Sequence, residues 1–167
     1  MTTQPASDIH HYDRRLTAAL SILDSDKRIL ESNRSKVREF LEYIQAEGLS
    51  APRQVRYVYV LRKVSRLLGK EFKHTTKDDL VTAISKLEKE DTSYETKRSE
   101  KECIKRFYKW LRNMEDEFPP EVRWIKATRK NNKRMLPENL LTEDEVEKLA
   151  EACQNQRDRA LILVTYE

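Results

Sequence analysis

Glycine is nearly absent from this chain: Gly48 and Gly69 are the only two in 167 residues. Their scarcity excludes a Gly-rich phosphate loop, a dinucleotide fingerprint and a nucleophile elbow, each of which needs backbone that glycine supplies. It also argues against a strand-rich fold, whose tight turns need residues at positive φ. Cysteine is equally scarce. Cys103 and Cys153 stand alone in helix-like patterns, as expected of a reducing, cytosolic compartment rather than a disulfide scaffold. Histidine is limited to His10, His11 and His74. The first two read as a solvated helix start and the third as an exposed loop residue. No Cys/His spacing suits zinc, so neither a metal nor another cofactor is expected. No apolar run reaches the ~20 residues of a membrane span, and no signal-peptide pattern is read, so the expectation is a cytoplasmic protein without a membrane partner. No nucleophile, base and acid converge in the sequence as a catalytic set.

What the chain has in quantity is charge. Lys and Arg number 33 against 29 Asp and Glu, a net +4, and charged residues make up 37% against 38% hydrophobic. The length suits one domain, or one domain with part of a second, and is enough to bury a core without staples.

The hydrophobic period is helical nearly throughout, which predicts an all-α fold. A first helix is expected over Ile9–Leu23, with Asp8 as its cap. A second, capped by Ser32 or Asn33, carries Val37, Phe40, Leu41 and Ile44 on one face and ends at Gly48. Ser50 caps a third, Pro52 sits in its first turn, Tyr57, Leu61, Val64 and Leu68 form its apolar stripe, and Gly69 closes it. Thr76 caps a fourth, with Asp78 and Asp79 at its positive end and Leu80, Val81, Ile84 and Leu87 on its apolar face. Thr92 or Ser93 opens a fifth, which runs to about Met114 and buries Ile104, Phe107, Tyr108 and Leu111. From Val122 to Leu136 no period appears and basic residues crowd in, so this stretch reads as an extended linker. Thr142 and Glu145 then form a capping box ahead of Val146, Leu149 and Ala150. The last segment, Arg157–Glu167, is apolar at Ala160, Leu161, Leu163 and Val164 and stops without a cap, which reads as part of a longer protein.

The modest net charge hides segregation. Arg53, Arg56, Lys63, Arg66 and Lys70 recur along the third helix away from its apolar stripe. Arg98, Lys101, Lys105, Lys109 and Arg112 recur at 3–4 spacing along the fifth. The linker adds Arg123, Lys126, Arg129, Lys130, Lys133 and Arg134, while acids gather at 115–121 and 138–151. One basic helix face is ordinary surface. Two faces and a basic linker point to a polyanion. Two alternatives remain open: a helical module that docks an acidic protein, and a small RNA-binding protein.

The order of these segments resembles the tyrosine recombinase, or phage integrase, family, in its archaeal-type branch. Leu49-Ser50-Ala51-Pro52 leading into Tyr57, Leu61 and Leu68, the Thr76-x-Asp78-Asp79-Leu80 start, and Lys105-Arg106-Phe107-Tyr108-Lys109-Trp110-Leu111 resemble its core-binding domain. Leu136-Pro137, Leu141-Thr142-Glu143-x-Glu145-Val146 and Arg157-Asp158-Arg159-Ala160-Leu161 resemble the opening of its catalytic domain.

The resemblance implies a compact SAM-like bundle of about five orthogonal helices over 1–118, a basic linker over 119–138, and a stub of catalytic domain over 139–167. It implies double-stranded DNA as partner, further recombinase protomers on that DNA, and nucleoid association. None of the family's catalytic arginine, lysine, histidine and tyrosine positions maps here, so this chain is expected to bind without chemistry and its parent to exchange strands. The helix parts that meet the major groove match Arg53, Gln54 and Arg56, and Lys97, Arg98, Lys101 and Lys105. The clamp-joining linker matches Arg129, Lys130, Lys133 and Arg134. With Lys63 and Lys109 from the basic stripes, these form the expected DNA-contacting set. Gln54 and Arg98 are the base-edge candidates, because amide and guanidinium forks suit adenine and guanine.

Overall fold

The computed structural model describes residues 11–128 and 140–166, and among them every regular element is helical. The chain divides into two compact units, residues 1–128 and 129–167.

In the first unit, α1 (Tyr12–Ser25), α2 (Glu31–Ala46), α3 (Ala51–Leu68), α4 (Lys77–Glu88), α5 (Tyr94–Leu111) and the short α6 (Pro120–Arg123) surround one core. Its centre is aromatic. Phe107 meets Phe72 edge-on at 4.8 Å and Phe40 at 5.3 Å, and Phe40 meets Tyr57 at 5.1 Å. Leu23, Ile44, Val58, Leu61, Leu80 and Ile104 fill the space around these rings.

Helix ends follow the expected chemistry in several places. Gly48, at φ 81°, turns the chain out of α2 while the Leu49 N–H donates back to the Ile44 carbonyl at 2.9 Å. Gly69, at φ 62°, ends α3 with its N–H on the Ser65 carbonyl. Thr76 forms a full capping box with Asp79.

Four local expectations are corrected. Helix α2 starts at Glu31 behind Leu30, and Asn33 is a buried side chain, not a cap. Its amide donates to Ser65 Oγ and the Lys70 carbonyl, both at 2.9 Å, and its carbonyl accepts from the Phe72 N–H at 2.8 Å. It thus ties α2 to the end of α3 and the 3-10 turn that follows. Ser50 occupies the N-cap of α3 without a side-chain cap bond. Helix α5 stops at Leu111 because Asn113 adopts φ 51° and sends the Met114 N–H back to the Lys109 carbonyl. Finally, Val122 and Ile125 are buried in the core. The first unit therefore runs past 118 to Thr128, and the first ten residues of the expected 119–138 linker belong to it. Helix α1 begins at Tyr12, and its expected cap, Asp8, lies outside the described residues.

The second unit pairs α7 (Glu143–Glu151) with α8 (Gln156–Tyr166). Thr142 and Glu145 form the expected capping box, and Val146 and Ala150 are buried. Leu149 is exposed, and α8 buries no residue.

Candidate nucleic-acid interface

The fold sorts the expected contact residues into three groups. The first is spent on internal bonds. Gln54 is 6% exposed, and its amide donates to the Leu49 carbonyl at 2.8 Å, holding the α2–α3 turn, so it is withdrawn as a base reader. Lys63 bonds Glu90 at 2.5 Å and Glu100 at 2.8 Å. Lys97 donates to the Glu88 carbonyl at the end of α4, and Lys101 pairs with the Glu88 carboxylate. Arg98 is held between Glu95 and Glu102 on its own helix. Each of these cations is matched by an acid or a helix-end carbonyl, which lowers the field it projects. The expected α5 stripe is thus largely internal circuitry. Its last member, Arg112, bonds Glu121 and the carbonyls of Lys73 and Thr75, stitching α5 to α6 and the turn before α4.

The second group is brought together. Arg53 and Arg56, in the first turns of α3, line a groove of about 370 Å³ with Tyr57, Ser99, Glu102, Cys103 and Arg106. Across the Glu102–Arg106 ridge of α5, a second groove is lined by Lys105, Lys126, Phe118 and Ile125. Arg56 donates to the Ser99 hydroxyl at 2.7 Å. Lys105 donates to the Ile125 carbonyl at 3.2 Å and lies 4.2 Å above the Phe118 ring, with Lys109 at 5.7 Å from the same ring. Among the described residues no carboxylate pairs with Arg53, Arg56, Lys105, Lys109 or Lys126, whereas Arg106 is matched by Glu47 at 2.5 Å and Glu102 by Arg98. The two grooves therefore carry uncompensated positive charge, with the positive end of α3 beside Arg53.

The third group, Arg129, Lys130, Lys133 and Arg134, lies outside the described residues.

Two members of this face, Arg106 and Lys126, fall outside the expected set. Arg106 sits off the 3–4 stripe beside Lys105, and only the packing of α5 against α3 turns it into the groove. Lys126 was legible as basic, but its place depends on the burial of Ile125 next to it. The Cys103 thiol is 5% exposed, and burial pushes its pKa up to about 12, which keeps it protonated and inert. Among the described residues no three His, Cys, Asp or Glu side chains converge as a metal site, and no helix is long and apolar enough to cross a membrane. The chain matches no family model, no curated protein and no solved structure.

Proposed function

We propose that the first unit binds duplex DNA through its phosphates, as the core-binding half of a tyrosine recombinase that holds its site while other parts of the assembly exchange strands. The observation that carries this reading is the pair of grooves flanking α5, lined by Arg53 and Arg56 and by Lys105 and Lys126, with Lys109 beside the Phe118 ring, none of them with an acidic partner among the described residues. A polyanion compensates such charge by releasing its counterions. The SAM-like identity of the bundle, association with further protomers on DNA, and a nucleoid location belong to the same proposal. They rest on the order of segments along the chain.

The test is fluorescence anisotropy on a duplex of about 20 base pairs across a salt series. Five neutralised phosphates give a slope of log K against log salt near roughly −4.5. Arg53→Glu with Lys105→Glu should cut affinity by at least about tenfold and flatten the slope by about two phosphates. Lys97→Glu, on a side chain already spent on the end of α4, should change it little. A salt-independent affinity, or equal losses in both variants, would overturn the reading. Tighter binding of a single-stranded RNA than of the duplex would favour the RNA alternative.

A further inference from the structure

A second basic site lies on another face of α3, built around a buried acid. Asp26 follows α1, and its side chain is 4% exposed. Arg28 grips it with Nε on Oδ1 at 3.0 Å and Nη2 on Oδ2 at 3.3 Å. Arg62 adds Nε and Nη2 on Oδ2 at 3.0 and 2.8 Å, and Arg66 Nε stands 3.9 Å away. Arg34 donates to the Asp26 backbone carbonyl at 2.9 Å while pairing with Glu31. The hydrogen bonds from Arg28, foremost, hold the Asp26 carboxyl far below the usual carboxylate range.

One buried negative charge thus gathers three guanidinium groups, more than its charge can neutralise. Each guanidinium carries five N–H donors, and Asp26 takes at most two from each of these arginines, with none at hydrogen-bond distance from Arg66. Arg28 and Arg66 remain 62% and 36% exposed. The three line an open groove of about 500 Å³ with Tyr59, Lys63, Leu67 and Glu90. The acid there, Glu90, is already bound by Lys63, which also holds Glu100. Lys63 with Glu90 and Glu100 carries one net negative charge, so the guanidinium surplus of two falls to one and is not cancelled.

We propose that this groove is a phosphate-group site, in which Arg28, Arg62 and Arg66 clamp one tetrahedral oxyanion while Asp26 holds the planes of Arg28 and Arg62 in place. Guanidinium forks match phosphate oxygens in pairs, so three of them fixed in one groove form a receptor that scattered lysines do not. The phosphate belongs either to a free phosphomonoester-like anion or to a backbone phosphodiester of a bound duplex. The site does not depend on the DNA face. Arg62 and Arg66 lie about nine residues further along α3 than Arg53 and Arg56, or roughly 14 Å at the helical rise.

The experiment is a titration of the full chain with inorganic phosphate, read by NMR at the arginine Nε–H signals. Saturable shifts confined to Arg28, Arg62 and Arg66, half-complete at about 1 mM or below, are expected. Arg28→Gln, which leaves Asp26 still paired with Arg62, should weaken phosphate severalfold. Arg28→Gln with Arg66→Gln should weaken it by about tenfold or more, with the backbone spectrum unchanged. No saturation by about 20 mM, or unchanged affinity in the double variant, would overturn the proposal. Adding the duplex then separates the two sources. Displacement of phosphate from these arginines identifies a backbone phosphodiester, and independent saturation identifies a free anion. Arg53→Glu with Lys105→Glu should leave phosphate binding intact, so failure of the DNA reading is distinguishable from failure of this one.

Discussion

Thr76 and Thr142 open their helices in the same way. Each hydroxyl accepts from the backbone N–H three residues on, and the carboxylate there, Asp79 or Glu145, accepts in turn from the threonine N–H at 2.8 Å. The helices behind the two caps have different fates. Helix α4 buries Leu80, Ala83, Ile84 and Leu87, while α7 buries Val146 and Ala150 and leaves Leu149 exposed. A cap is a local device and forms wherever its few residues occur. Burial needs an opposing surface, and the first unit provides one through Phe40, Phe72, Phe107 and Tyr108, rings drawn from α2, the 3-10 turn and α5. The second unit has a single ring among its described residues, Tyr166, and it is half exposed. Amphipathic patterning therefore counts as stability only when distant segments close over it.

The sharpest way to test that contrast is to empty the centre of the aromatic cluster. Phe107→Ala should cost about 3–5 kcal/mol, from lost transfer energy and an unfilled cavity. That is a large share of the ~5–15 kcal/mol expected for a domain. Urea unfolding followed by circular dichroism would show it as a lower midpoint for most of the helical signal. Val146→Ala should move that main transition by less than about 0.5 kcal/mol. An equal loss in both variants would mean that the two units unfold as one.

The paired caps give a finer test. Thr76→Ala should destabilise the main transition by ~1 kcal/mol, whereas Thr142→Ala should leave it in place and remove only local helicity around 143–151. The first cap also has a pH signature. The Lys70 ammonium, foremost, and the Thr76 N–H hold the Asp79 carboxyl at about 2, below its ordinary 3.8. Because the folded value lies below the unfolded one, the stabilisation is complete above the unfolded value. It is lost as the pH falls through 3.8 toward about 2. Thermal melts between pH 6 and pH 2 should show a shallower acid limb in Asp79→Asn than in the parent chain. Asp26 contributes to that limb with the same sign, so the limb should shrink in Asp79→Asn without vanishing.

The same division between local and distant determinants explains what the sequence discloses. Gly48, Gly69, the Thr76 cap and the Thr142 box are legible because each is decided within a few residues. Asn33 was misread as a cap because its three partners, Ser65, Lys70 and Phe72, are more than 30 residues away. Val122 sits in a helix of four residues and Ile125 just beyond its end, too short a stretch to show periodicity, so their burial is invisible until α4 and α5 are packed. The candidate site behaves likewise. The sequence displays how many donors Gln54, Lys97 and Lys101 have, but not that Leu49 and Glu88 consume them. The pairing of Arg98 with Glu95 and Glu102 was open to view at i,i+3 and i,i+4. It shows that a basic stripe should be read together with the acids interleaved in it.

The smallest expected effect belongs to α8. Leu161 and Val164 are 63% and 72% exposed, and no residue of the helix is buried. Leu161→Ser therefore removes almost no buried apolar area, and the main unfolding transition should stay within about 0.5 kcal/mol of the parent. The informative measurement is sedimentation velocity at rising protein concentration, run on both chains. Exposed leucine and valine on one short helix offer a surface for weak self-association. If the parent chain sediments faster at high concentration and the serine variant does not, the apolar side chains of α8 are what the copies share. If the variant instead loses more than about 1 kcal/mol at low concentration, Leu161 is covered within a single chain. The contrast between the two units would then fail at the helix where it is most extreme.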